Sequence, residues 1–197
     1  MLIIQNPDVQ KKLTIKPVSE NGSVTIMPGD KSKPLALFVI GAESDYSGAA
    51  IVFDGINVDL SDTPTPTKDM APYAGTKNTP YLPVFYMAGA RSGGVDGIVD
   101  VLCPGRYDGN NNPRYGHNIT IKICSIIGNG VDTQVLVGNR GTSGITVENC
   151  TASNFGYFAN GYFTDNADHN WKGLTIKGGT YNSEKVFVNR QNGTHTL

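Results

Sequence analysis

Two stretches of the chain carry the same short pattern and together restrict how the backbone can run. "HNITIKICSIIGNG", from His117, and "SGITVENCTASNFG", from Ser143, share Ile-Thr-(Ile/Val)-charge-x-Cys and both pass into Asn and Gly. Related segments extend the series: "LTIKPV" from Leu13, "IVFDGI" from Ile51, "IVDVLC" from Ile98, "ITIKIC" from Ile119, "ITVENC" from Ile145 and "LTIKGG" from Leu174. A second apolar series lies between them: "LFVIGA" from Leu37, "VFYMAG" from Val84, "VLVGN" from Val135 and "YFTDN" from Tyr162, with "VFVNR" from Val186 starting a further turn. Two interleaved series with spacings of roughly 20 to 50 residues are the mark of stacked repeats.

Each segment alternates apolar and polar residues, which is the period of a strand with one buried face. Ile119, Ile121, Ile145, Val147, Leu174 and Ile176 are expected to point inward, and Thr120, Lys122, Thr146, Glu148, Thr175 and Lys177 outward. A chain that returns to the same register on each turn places like residues over like, in parallel strands about 4.8 Å apart. The Asn and Gly residues at the strand ends suit corners with left-handed backbone angles. In "IVDVLC" the register with Val99 and Val101 inward and Asp100 outward avoids burying an unpaired carboxylate.

Composition agrees with many short strands. Gly is abundant at 24 of 197 residues, and helical runs of Ala, Leu, Glu and Lys are missing. The length suits one domain spanning 1–197, and no hinge-like linker divides it. A net charge of −1 with 17% charged residues gives no basis for binding nucleic acid or a membrane surface. No segment is apolar for the roughly 18 residues that a membrane span requires. "MLIIQNPDVQKKL" lacks the features of a signal peptide, so a signal has been removed, the chain is a piece of a longer one, or export takes another route. Three cysteines without metal-type spacing define neither a disulfide framework nor a zinc site. Cys124 and Cys150, with Cys103 nearly equivalent, read as a column of buried thiols.

The rung pattern resembles the right-handed parallel β-helix of the pectin-lyase-like superfamily, which includes polysaccharide lyases, phage tailspikes and surface adhesins. The resemblance implies an all-β, single-stranded right-handed parallel β-helix (a β-solenoid) of about five or six turns. Loop insertions interrupt it at 62–83 and 104–118. Members usually carry an N-terminal cap; "NPDVQKK" supplies at most one helical turn, so the ends are expected to meet neighbouring domains or the other chains of a homotrimer.

In lyases of this type a basic residue on the outer strand face removes a proton next to a uronate carboxylate. The outward row Lys122, Glu148 and Lys177 is the catalytic candidate on that analogy, although alternating charge is also the ordinary way to make a solvated sheet face favourable. No ladder of outward aspartates supports a calcium site, so no metal or other cofactor is expected. The paired aspartates and Gly-His-Gly of the related glycosidases are missing, and His117 and His169 read as corner residues.

Sugar rings pack their C–H faces on aromatic rings and bond their hydroxyls to polar side chains. Arg106, Tyr107, Arg114 and Tyr115 in the polar 104–118 loop, with Tyr157, Tyr162 and Trp171, are the candidate substrate-binding residues. The function expected is an extracellular, cell-surface or virion-associated module that binds a polysaccharide or surface glycan. Polysaccharide cleavage by β-elimination on a uronate-containing glycan is the enzymatic alternative, and a structural stalk of a tailspike or adhesin the third.

Overall fold

The computed structural model describes residues 2–4, 12–19, 22–29, 37–41, 50–65, 82–88, 118–138, 143–161, 172–185, 188–189 and 195–196. The described residues form strands, turns and irregular segments without a helix. In chain order the strands are β1 (Leu2–Ile4), β2 (Lys12–Ile15), β3 (Thr25–Ile26), β4 (Phe38–Gly41), β5 (Ala50–Asp54), β6 (Asn57–Asp59), β7 (Leu82–Ala88), β8 (Ile119–Lys122), β9 (Ser125–Gly138), β10 (Ser143–Glu148), β11 (Thr151–Gly161), β12 (Lys172–Lys177), β13 (Thr180–Ser183), β14 (Val188–Asn189) and β15 (His195–Thr196). The protein is all-β in these residues. Every pairing among them is parallel, and neither of the two sheets closes into a barrel.

The six-stranded sheet runs β2-β5-β8-β10-β12-β15, so neighbours in space follow the order of the chain. Its register is the one the Ile-Thr-Ile pattern predicts. Leu13 pairs with Ile51, Ile51 with Ile119, Ile119 with Ile145 and Ile145 with Leu174. Ile119, Ile145 and Leu174 are each 1% exposed, whereas Thr120, Thr146 and Thr175 are half-buried. Burying a side chain of this size contributes about 1.5–3 kcal/mol, and a one-residue slip would turn all of them outward.

The segment "IVDVLC" lies outside the described residues, and β5 pairs directly with β8. Strand β7 begins at Leu82, and residues 66–81 of the expected 62–83 insertion lie outside the described residues.

The nine-stranded sheet follows β1-β4-β7-β9-β11-β13, with β14 beside β11 and β3 joined through β6 to β9. Long strand β9 pairs at Ser125–Ile127 with β6 and at Thr133–Gly138 with β7. Between those two parts the chain bends. Asn154 adopts φ 55° and its Nδ2 donates to the Gly128 carbonyl at 2.8 Å. The Asn129 backbone N–H donates to Thr133 Oγ1 at 2.8 Å, and Asn129 Nδ2 donates to the Thr63 carbonyl at 2.9 Å. These bonds satisfy backbone and hydroxyl groups that the irregular ladder would leave without partners. The same irregularity shifts the second apolar series. The strand that continues "VLVGN" is Tyr157–Gly161, with Ala159 paired to Leu136, and not "YFTDN" from Tyr162.

The inner faces of the two sheets meet in one hydrophobic cluster. Phe38 and Phe85, on adjacent strands of the nine-stranded sheet, stack at 5.1 Å with 13° between planes, and Phe53 from the six-stranded sheet meets both edge-on at 4.8 and 4.9 Å. Further along, Phe158 packs edge-on against Phe155 at 6.0 Å and Tyr181 at 4.7 Å. Burial first, and the neighbouring Cys150 sulfur second, lift the Tyr181 phenol from 10.0 to about 12. The folded chain therefore keeps this proton at pH values where the unfolded chain has lost it. Its contribution is full below about pH 10 and is lost as the pH rises to about 12. Denaturant midpoints measured across that range should fall, and Tyr181→Phe should remove this part of the decline.

The corners after β5, β8, β10 and β12 repeat one geometry. Gly55, Ile123, Asn149 and Gly178 follow Asp54, Lys122, Glu148 and Lys177 and have φ of 65°, 53°, 50° and 61°. Gly55 N–H donates to the Lys122 carbonyl at 3.0 Å, Ile123 N–H to Glu148 at 2.9 Å and Asn149 N–H to Lys177 at 2.8 Å. The left-handed corners expected of Asn and Gly are present, and one is held by a β-branched residue. Ile123 is 62% exposed, so little burial offsets a conformation that costs an L-residue about 1–2 kcal/mol. Ile123→Asn, the residue found at the next corner, should stabilise the protein by about 1 kcal/mol and raise its melting temperature by about 2–4 °C. A lower melting temperature in a thermal scan would show that the isoleucine side chain is held in place.

Candidate functional site

The outer face of the six-stranded sheet carries two parallel rows. One consists of Thr14, Thr120, Thr146 and Thr175, with the buried Val52 between Thr14 and Thr120, aligned by the sheet register. The other consists of Asp54, Lys122, Glu148 and Lys177. Alternation puts both rows outward, and parallel pairing sets successive members about 4.8 Å apart. The charged row contains the three residues expected from the sequence and one that was not, Asp54. The signal for it was present, because "IVFD" aligns with "ITIK" position by position.

The charges are joined in pairs. Lys122 Nζ lies 2.9 Å from Asp54 Oδ2, and Lys177 Nζ lies 3.3 Å from Glu148 Oε1. Their side chains are 36% and 28% exposed in the first pair and 65% and 35% in the second, so each pair contributes about 0–1 kcal/mol. A lysine that abstracts a proton must present an uncharged amine free to reach the substrate. Lys122 and Lys177 instead each hold a carboxylate. The arrangement supplies a row of fixed hydroxyls and paired charges, suited to hydrogen bonding along a line.

Among the aromatic candidates, Tyr157 is half-buried on β11, and Lys185 Nζ lies 5.3 Å from the centre of its ring. That contact is a cation–π interaction over the ring face. Tyr157 belongs to the nine-stranded sheet and the charged row to the six-stranded one, so the two sets stand on different sheets. Phe155 and Phe158 are core residues, at 0% and 1% exposure. Arg106, Tyr107, Arg114, Tyr115, Tyr162 and Trp171 lie outside the described residues, as do His117, His169 and Cys103.

Cys124 and Cys150 are buried free thiols in one column, below which sits Ile56. The Cys124 backbone N–H donates to Cys150 Sγ at 3.4 Å, and Cys124 Sγ donates to the Lys122 carbonyl at 3.2 Å. The thiol–thiol hydrogen bond with Cys150, together with burial, pushes the Cys124 thiol up, and the same bond draws the Cys150 thiol down. These cysteines fill interior space, as the repeat suggested.

A small cavity of about 20 Å³ is lined by Met27, Asp59, Ser61, Asp62 and Thr63. It is the size of one water molecule and too small for a sugar ring. Asp59 Oδ1 accepts from the Ser61 backbone N–H at 3.0 Å and from the Ser61 hydroxyl at 2.6 Å, a local turn. Among the described residues no group of three or more His, Cys, Asp and Glu side chains is placed to hold a metal ion, and no helix is long and apolar enough to cross a membrane. No protein-family model, curated protein or solved structure matches this chain.

Proposed function

We propose that the chain winds as a right-handed parallel β-helix of five or six turns, of the pectin-lyase-like kind, and serves as a polysaccharide-binding module at a cell surface, outside the cell or on a virion. The winding is supported by the six-stranded sheet, whose strands stack in chain order and in parallel while strands of the second sheet alternate with them along the chain. The binding role is carried by one observation: an outward line of threonines lies beside an outward line of paired charges, both at the spacing of the strands. A linear glycan laid along the stack would meet a hydroxyl or a charged group at each rung. Hydroxyl and charge partners at regular intervals are what the many hydroxyls of a sugar chain require. Engagement of both lysines by carboxylates favours binding over β-elimination.

Glycan arrays and affinity electrophoresis in gels containing neutral or acidic polysaccharides test this reading. Retention should weaken when Thr146→Val and Thr175→Val are combined, since both hydroxyls leave the middle of the row while the inward face is untouched. Absence of retention on every glycan class would leave the stalk role in its place. The same polyuronates, followed by the ultraviolet absorbance of an unsaturated product, test cleavage. Appearance of that product, lost in Lys122→Ala or Lys177→Ala, would make the module a lyase.

A further inference from the structure

Two buried thiols are neighbours where the chain passes from the six-stranded sheet into the nine-stranded one. Lys122 pairs with Glu148 just before the two cysteines, and Ser125 pairs with Thr151 just after them. These aligned pairs bracket Cys124 and Cys150 and set them one strand spacing apart, about 4.8 Å. A disulfide spans Cα separations of about 4.4–6.8 Å. By the same register Ile56 precedes the cysteines in their column and Gly179 follows them.

The sulfurs are engaged with each other and with backbone. The Cys124 N–H donates to Cys150 Sγ at 3.4 Å, so this sulfur sits against its neighbour's main chain. Cys124 Sγ lies 3.2 Å from the Lys122 carbonyl oxygen and 3.7 Å from that of Phe53. Cys150 Sγ lies 3.5 Å from the carbonyl oxygens of Ile121 and Glu148. The thiol–thiol bond keeps the proton on Cys124, and that bond, with the Cys124 N–H, favours negative charge on Cys150 against the opposing effect of burial. One sulfur is thus prepared to attack and the other to follow. Both side chains are buried, yet Asn149 and Thr151 on either side of Cys150 are exposed, as are Gly178 and Gly179 at the next corner. The pair lies just beneath the surface, in reach of a small oxidant.

We propose that Cys124 and Cys150 form an oxidative modification site, a dithiol that a peroxide converts to a disulfide joining the corner after β8 to the corner after β10. The Cys150 thiolate attacks one peroxide oxygen and the O–O bond breaks. Cys150 becomes a sulfenic acid, and the departing hydroxide takes up the thiol proton as water. Cys124 Sγ then attacks Cys150 Sγ, the S–O bond breaks, and the hydroxyl leaves with the Cys124 proton as a second water. Two thiols and one peroxide thus give one disulfide and two waters. The bridge closes a loop between residues 26 apart and restricts the unfolded chain, so it staples adjacent strands of the sheet. This inference does not depend on glycan binding.

The test uses the full chain, whose three cysteines fall in separate tryptic peptides: Cys103 in 92–106, Cys124 in 123–140 and Cys150 in 141–172. The protein is treated with hydrogen peroxide, the excess is removed with catalase, and remaining thiols are alkylated in denaturant. Mass spectrometry of the digest should find 123–140 joined to 141–172, a pair that dithiothreitol separates. The treated protein should melt about 5–10 °C above the reduced one, and dithiothreitol should reverse the shift. In Cys124→Ser, dimedone, which traps sulfenic acids, should label Cys150, whereas Cys124 in Cys150→Ser should stay unlabelled. Alkylation of both thiols after treatment, a bridge from either of them to Cys103, or a bridge between two chains would overturn the proposal. So would a bridged protein that melts no higher than the reduced one, or dimedone on Cys124 in place of Cys150.

Discussion

Phe53→Ala is expected to lower the stability of the protein by about 3–5 kcal/mol, out of the 5–15 kcal/mol that separates typical folded and unfolded chains. Phe53 is fully buried and is the ring through which the six-stranded sheet reaches the stacked pair Phe38 and Phe85 of the other sheet. Each edge-on contact adds about 0.5–1.5 kcal/mol beyond the area it buries. The cavity left by alanine would be lined from both sheets. Neither sheet can close over it without breaking register, because β5 is held by β2 on one side and β8 on the other. Urea unfolding should show the loss as a lower midpoint with an unchanged slope, and Phe53→Leu should lose much less. An unchanged midpoint in the alanine variant would mean that the three rings do not join the sheets.

Gly156→Ala is expected to cost about 3 kcal/mol, at the upper end for overpacking. Gly156 is buried where β11 passes the bend in β9. A methyl group there would overlap the Val131 carbonyl oxygen and lie 2.9 Å from the carbonyl carbon and 3.3 Å from Cα. The obstacle is backbone, so no side chain can swing aside. Gly29→Ala is the control, since a methyl at that position meets nothing within 4 Å and should change stability by less than about 0.5 kcal/mol. Parallel thermal scans would separate the two, and equal melting temperatures would place the β9 bend further from β11.

The six-stranded sheet was legible because its strands repeat residue by residue. Alternation fixed which face of "ITIK", "ITVE" and "LTIK" is inward, and repetition fixed which residue lies over which. Asp54 was legible on the same grounds, since "IVFD" matches "ITIK" position by position. How far the chain runs between β5 and β8 was not legible. Apolar alternation marks a segment able to form a strand but carries no information about how far the chain travels before it rejoins the sheet. The placement of "YFTDN" beside "VLVGN" failed because the bend in β9 sets residues 128–133 against only residues 154–156 of β11, so the partner strand comes earlier in the chain, and only backbone pairing reveals that. At the candidate site, types and spacing gave the row of charges. Which lysine would hold which carboxylate depends on side-chain reach, which spacing does not record.

The parallel pairing of the strands has a consequence for how the molecule comes together. Since all pairings among the described residues are parallel, none is a hairpin, and no tight turn can bring two strands together as an early nucleus. The first productive encounter must close a long stretch of chain before any ladder bond compensates the lost entropy. Assembly should therefore be slow, on the millisecond-to-second scale of proteins dominated by distant contacts. The strands β8, β10, β12 and β15, separated by the shortest returns, are where it should start, with β2 and β5 joining after the excursion between Asp54 and Ile119 has been drawn in.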